Sequence, residues 1–169
     1  MRITVTGATG LIGTRLVAAL RERGDEVTVL SRNPENARRV LGVEAVGWNP
    51  EAESAPDDGL AGRDGVVHLA GEPIAQRWTH ESKESIRASR EHGTAHLIDG
   101  VGQSEPRPAV LVTASAVGYY GARGDERLDE DAPAAPVSSR ASARPGNTRP
   151  PRPPVSACAS SRTGPLLRP

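Results

Sequence analysis

"TGATGLIG", residues 6–13, lies between the short β-branched run "RITVT" (2–6) and a stretch with helical spacing, and its reading decides the fold. In "LIGTRLVAALRERG" (11–24) the apolar residues Leu11, Ile12, Leu16, Ala19 and Leu20 recur at helical intervals, and Gly24 closes the run as a C′ glycine. Gly7, Gly10 and Gly13 therefore fall at a strand-to-helix turn with the spacing G-x-x-G-x-x-G. The first glycine suits a tight turn, the second a close approach of backbone to a ligand, and the third close packing of helix on strand. Glycines serving only a turn are the plainer alternative, and the correctly placed strand and helix argue against it.

Working outward, strands and helices alternate. "EVTVL" (26–30) is predicted as a second strand and "NPENARRVL" (33–41) as a short helix with Asn33 as N-cap and Pro34 at its first position. "VEAVGW" (43–48) follows as a third strand. After a Pro/Asp/Gly loop come a fourth strand "GVVHLA" (65–70), a long helix over residues 79–101, and a fifth strand "AVLVTAS" (109–115). This alternation predicts an α/β, Rossmann-type doubly wound parallel sheet, incomplete at about five strands, in the order 3-2-1-4-5.

The predicted helix N-terminus offers free N–H groups and a partial positive charge, so a pyrophosphate is expected over Gly7, Thr9, Gly10, Leu11, Ile12 and Gly13. The end of the second strand chooses between dinucleotides. An acidic residue there would bind ribose hydroxyls, but "LSRN" (30–33) places Ser31 and Arg32 where a 2′-phosphate would lie. NADP is expected over NAD; a merely solvated arginine is the alternative.

Apolar residues make up 36% of the 169 residues, enough for a core if concentrated. Basic and acidic residues balance at 21 each, but six of the arginines follow Pro133 and no acidic residue does, so the body is acidic by six. That argues against nucleic-acid and anionic-membrane binding. The single Cys158 fits a reducing compartment, and no apolar stretch is long enough for a signal peptide or a membrane span. A cytoplasmic protein is expected.

With "TGATGLIG", "LSRNP", "GWNPE", "VVHLAGEPIAQRWT", "KESIRASREHGT" and "TASAVGYYG" in that order, residues 1–133 resemble the short-chain dehydrogenase/reductase superfamily. More narrowly, they are similar to its NAD(P)-dependent epimerase/dehydratase-type group, often described as sugar nucleotide epimerase-like. The resemblance implies that Leu69, Ala70 and Gly71 line the adenine and ribose path. It also implies that Ser115 sits beside the nicotinamide as the catalytic residue, hydrogen-bonding the reacting oxygen. Glu72, Arg77 and Trp78 match the narrower group and would face cofactor or substrate, although Trp78 could simply cover the long helix.

The superfamily's Tyr-x-x-x-Lys pair, in which lysine lowers the phenol pKa, is missing. Lys83 is the only lysine and no tyrosine precedes it, and Tyr119 and Arg123 have the spacing in a glycine-broken stretch expected to be loop. The functional expectation is NADP-linked oxidoreduction or epimerisation of a small substrate, nucleotide-sugar-like or otherwise. A non-catalytic dinucleotide-binding module and an inactive fragment of such an enzyme are the alternatives.

Other candidates weigh less. His92 and His96 lie four apart on the long helix with no third metal ligand in view, and "GDERLDEDAP" (124–133) reads as a solvated acidic loop. For the Pro/Arg/Ser-rich residues 134–169 three readings compete: a polyproline ligand, a basic disordered arm, and out-of-frame sequence. The third has support from codons formed by the third base of each codon and the first two of the next. From Val137 to Asn147 these permit most of the pattern F-L-A-x-V-C-x-x-W-E, which the resembling group carries after "EDAP". On that reading the frame changes after about Pro136, the tail is disordered, the substrate-binding part is missing, and the bare fifth strand invites self-association.

Overall fold

The computed structural model describes residues 1–114 and 119–135; Ser115 and the tail from residue 136 lie outside them. The strands are β1 (Arg2–Thr6), β2 (Glu26–Ser31), β3 (Glu44–Gly47), β4 (Gly65–His68) and β5 (Val110–Thr113). They form one all-parallel sheet in the order β3-β2-β1-β4-β5, as the alternation predicts. The helices are α1 (Leu11–Glu22), α2 (Pro34–Leu41) and α3 (His80–Gln103), with a 3-10 turn at Asp57–Gly59 inside the Pro/Asp/Gly loop that sequence reading left without structure.

The period-two alternation of a strand explains how the sheet is covered. Ile3, Val5, Val27, Val29 and Ala45 pack with Val17 and Leu20 of α1 and with Ala37 and Leu41 of α2. The alternate set, Leu30 and Val66, packs with Leu97 of α3 and with Trp48, Ala55 and Leu60. Polar residues on the buried central strand are satisfied: Thr4 is fully buried and its hydroxyl donates to the Gly59 carbonyl at 2.5 Å.

Local chemistry fixes the ends. Asn33 Oδ1 accepts from the Asn36 N–H at 3.0 Å with Pro34 behind it, and Gly24 takes φ +85° just past α1. Thr79 and Ser82 form a reciprocal capping box that starts α3, so Thr79 is the cap rather than the first helical residue. The buried face of α3 carries small residues, Ser89, Gly93, Thr94 and Gly100, beside Ile86 and Leu97. A Cβ at Gly100 would lie 2.9 Å from the Ala55 Cβ, so the helix lies close against the β3–β4 connection.

α1 buries Gly13, Val17 and Leu20, whereas Leu11 and Ile12 in its first turn are 78% and 68% exposed. One expectation needs correction. Strands four and five are shorter than predicted. The chain leaves β4 after His68 because the Leu69–Ala70 peptide passes directly over Gly7, and β5 spans four residues, with Val110 and Val112 about half exposed.

Candidate functional site

The site is assembled at the C-terminal ends of β1, β2 and β4, the edge at which open α/β sheets bind ligands. Gly7 ends β1 with φ +66°, a left-handed conformation that favours glycine. A Cβ there would stand 2.6 Å from the Leu69 carbonyl carbon and the Ala70 nitrogen, so glycine is required twice over, by conformation and by crowding. The Gly10 N–H closes the turn on the Gly7 carbonyl at 3.1 Å. At Gly13 a Cβ would press on the backbone of Ala8, at 2.6 Å from its Cα, which is the close packing of helix on loop that the spacing predicts.

Gly10 differs from its neighbours. A Cβ there would touch only the Gly7 carbonyl oxygen, at 3.3 Å, and would otherwise enter open space in front of α1. No side chain caps that helix and its first turn carries no acidic residue. Among the described residues the N–H groups of Leu11, Ile12 and Gly13 have no partner, which leaves an open, partly positive helix end beside exposed Thr9. These donors and the glycine-lined space in front of them fit a pyrophosphate.

The second wall comes from β2. Ser31 accepts from the Asn33 N–H at 3.1 Å, and the exposed Arg32 engages no carboxylate or carbonyl among the described residues. Arg32 lines a cleft of about 50 Å3 together with Pro50, Glu51, Ala70, Gly71, Glu72 and Ser89. The cleft is mixed in charge, with one guanidinium facing two carboxylates.

The third wall is the segment after β4. The Ala70 N–H donates to Thr6 Oγ1 at 3.1 Å, and the Thr6 hydroxyl shares a further hydrogen bond with His68 Nδ1, 2.7 Å away. The ring's other nitrogen, Nε2, is buried and without a partner among the described residues. Burial pushes the His68 pKa down to about 4, so the ring is neutral at pH 7. Farther along, the Glu72 N–H donates to Ser89 Oγ at 3.0 Å, and the Glu72 carbonyl accepts from both terminal nitrogens of Arg90 at 3.1 Å.

The structure thus brings Gly7, Thr9, Gly10, Leu11, Ile12, Gly13, Ser31, Arg32, Leu69, Ala70, Gly71 and Glu72 to one edge of the sheet. Arg77 and Trp78 are exposed in the loop before α3, where the Arg77 carbonyl accepts from Ser82 Oγ at 2.8 Å. Ser115 follows β5 in sequence but lies outside the described residues. Tyr119 and Arg123 are not on one helix: Gly121 has φ +73°, and Arg123 ties its loop by donating to the carbonyls of Tyr120 and Pro133. His96 Nδ1 donates to the Pro50 carbonyl at 2.8 Å, and no group of three or more metal-ligating side chains occurs among the described residues.

Sequence reading missed Thr6, His68, Ser89 and Arg90. The first two had a signal, since Thr6 closes one run read as a strand and His68 interrupts another with a polar side chain. Ser89 and Arg90 had none, because nothing in a helical stretch of polar residues marks the two that reach back to a loop seventeen residues earlier.

Comparison with known proteins agrees with this geometry. Residues 3–143 match the family described as the NAD dependent epimerase/dehydratase family. An epimerase family protein SDR39U1 homolog of Arabidopsis thaliana, described as chloroplastic, is 40% identical over 136 residues, covering 79% of this chain and 39% of that protein. The crystal structure of the human epimerase family protein SDR39U1 (isoform 2) with NADPH is 33% identical with a TM-score of 0.65, covering 79% of this chain and 43% of its own. A short-chain dehydrogenase/reductase superfamily protein from Agrobacterium tumefaciens with bound NAD is 29% identical with a TM-score of 0.63, covering 85% and 42%. The chain therefore spans about two fifths of the length of these relatives. On the match over most of its length and on the parallel sheet with its glycine turn, the chain belongs to the NAD dependent epimerase/dehydratase family.

Proposed function

We propose that residues 1–133 form the cofactor-binding part of an NADP-linked enzyme that oxidises and reduces, or epimerises, a small substrate. The observation that carries this reading is the glycine turn: Gly7 lies under the Leu69–Ala70 peptide, and Gly10 opens onto the uncapped N-terminus of α1. The pyrophosphate would rest on the N–H groups of Leu11, Ile12 and Gly13, beside Thr9. Ser31 and Arg32 would receive the 2′-phosphate, with Leu69, Ala70, Gly71 and Glu72 along the adenosine and Arg77 nearer the substrate. The bound nicotinamide supplies a hydride acceptor and donor, and Ser115 would orient the reacting oxygen. Relatives solved with NADPH and with NAD support a nicotinamide dinucleotide, and Arg32, which engages no carboxylate or carbonyl among the described residues, favours the phosphorylated form.

A second reading, dinucleotide binding without turnover, is favoured by a specific observation. The only lysine, Lys83, is exposed on α3, and Tyr119 and Arg123 sit in an irregular loop, so no lysine is placed to lower a phenol pKa among the described residues. Self-association of two copies through the bare face of Val110 and Val112 belongs to the same proposal.

Titrating the purified chain with NADPH and with NADH, followed by assays with nucleotide-sugar and small carbonyl substrates, separates the readings. Saturable NADPH binding with turnover supports the enzyme, and binding without turnover supports the module. No binding of either dinucleotide rejects both.

A further inference from the structure

Arg90 stands apart from the other cations of this site. Its guanidinium is half-buried, yet among the described residues it forms no salt bridge: both terminal nitrogens converge on the Glu72 carbonyl, and Nη1 also donates to the Ile86 carbonyl at 3.0 Å. Withdrawing a guanidinium from water to bond neutral carbonyls is costly, and a neutral side chain would anchor a structural loop more cheaply. Burial disfavours its charge, and the nearby Glu72 carboxylate opposes that effect.

What the arrangement achieves is local. A Cβ on Gly71 would lie 3.4 Å from the Arg90 guanidinium carbon, so the planar group lies on the side of Gly71 where a side chain would stand. Ser89, 6% exposed, takes the Glu72 N–H and donates to the Ile86 carbonyl. At the other end Thr6 takes the Ala70 N–H. Residues 70 and 72 are thus pinned to β1 and to α3, while the exposed Gly71 between them makes no backbone hydrogen bond among the described residues and faces the cleft.

We propose that Arg90 and Ser89 are positioning residues of the dinucleotide site, holding the Gly71–Glu72 main chain against the cleft so that the Gly71 peptide is presented to the cofactor. This rests on the dinucleotide reading above. Arg90 acts through the main chain and not on the 2′-phosphate, so its loss affects NADPH and NADH alike, unlike the loss of Arg32.

The test measures affinity for both dinucleotides, together with amide hydrogen exchange, in the parent chain and in Arg90→Met, Arg90→Lys and Ser89→Ala. Arg90→Met and Ser89→Ala are expected to weaken both cofactors by about tenfold, the loss of roughly one charged or neutral hydrogen bond to the loop. Arg90→Lys, which keeps charge and stem but not the fork, should recover part of this. Exchange at Gly71 and Glu72 should quicken while β1 and α1 keep their protection. Affinities within about twofold of the parent, or losses that accompany deprotection of the whole sheet, would overturn the proposal. If Arg90→Met does not fold, Arg90→Lys and Ser89→Ala decide by the same criteria. A parent chain that binds neither dinucleotide overturns the underlying reading instead.

Discussion

Gly7→Ala isolates the crowding that shapes the site, because the chain supplies its own control in Gly24. Both glycines are left-handed, at φ +66° and +85°, but a Cβ at Gly24 would meet nothing within 4 Å. Gly24→Ala should therefore cost only the conformational penalty, about 1 to 2 kcal/mol. Gly7→Ala carries the same penalty and adds a Cβ 2.6 Å from the Leu69 carbonyl carbon and the Ala70 nitrogen, roughly 1 Å inside ordinary contact. Those are backbone atoms and cannot swing away. They are tied to β1 by the Leu69 N–H on the Thr6 carbonyl at 3.2 Å and the Ala70 N–H on Thr6 Oγ1 at 3.1 Å. Relief by moving the segment gives up at least one of these bonds, so the overpacking should add about 1 to 3 kcal/mol. The total, about 2 to 5 kcal/mol, is a large share of the stability of a typical domain. Urea unfolding followed by the fluorescence of buried Trp48 measures both variants. A Gly7→Ala loss no greater than that of Gly24→Ala would refute the close crossing of the two segments.

Arg32→Ala should weaken NADPH by about 1.5 to 3 kcal/mol, the value of a charged hydrogen bond, and leave NADH nearly unchanged; equal losses in calorimetric titrations would show that Arg32 does not read a 2′-phosphate. His68 should make folding pH-dependent. Its folded pKa of about 4 lies below the ordinary 6.5, so between these values the unfolded chain binds more protons and stability falls as pH drops, by up to about 3 kcal/mol. Urea midpoints between pH 7.5 and 4 should show a steeper decline in the parent than in His68→Gln, and parallel declines would rule out this role.

The sheet order was legible because each strand carries its own signal: "RITVT" and "EVTVL" are β-branched, and the turn glycines and the Asn33–Pro34 cap mark where strands give way to helices. The glycine turn was legible for the same reason, since glycine spacing at a strand-to-helix turn has a direct steric meaning. The Thr6–His68 and Ser89–Arg90–Glu72 contacts were not legible. They join residues sixty-two and seventeen or eighteen positions apart through hydrogen bonds that no local pattern encodes. The small residues on the buried face of α3 escaped notice because Ser89, Gly93, Thr94 and Gly100 are buried beside Ile86 and Leu97 without carrying an apolar signal of their own.

The central claim, a dinucleotide held by the glycine turn on the open end of α1, is tested most directly by titrating the chain and its Gly10→Val variant with NADPH under identical conditions. Gly10 faces open space, so the valine side chain should fill the room in front of the helix without disturbing the core. The expected result is saturable binding by the parent, none by the variant, and the same circular dichroism for both. Parent-like affinity in Gly10→Val would place the cofactor elsewhere and contradict the account.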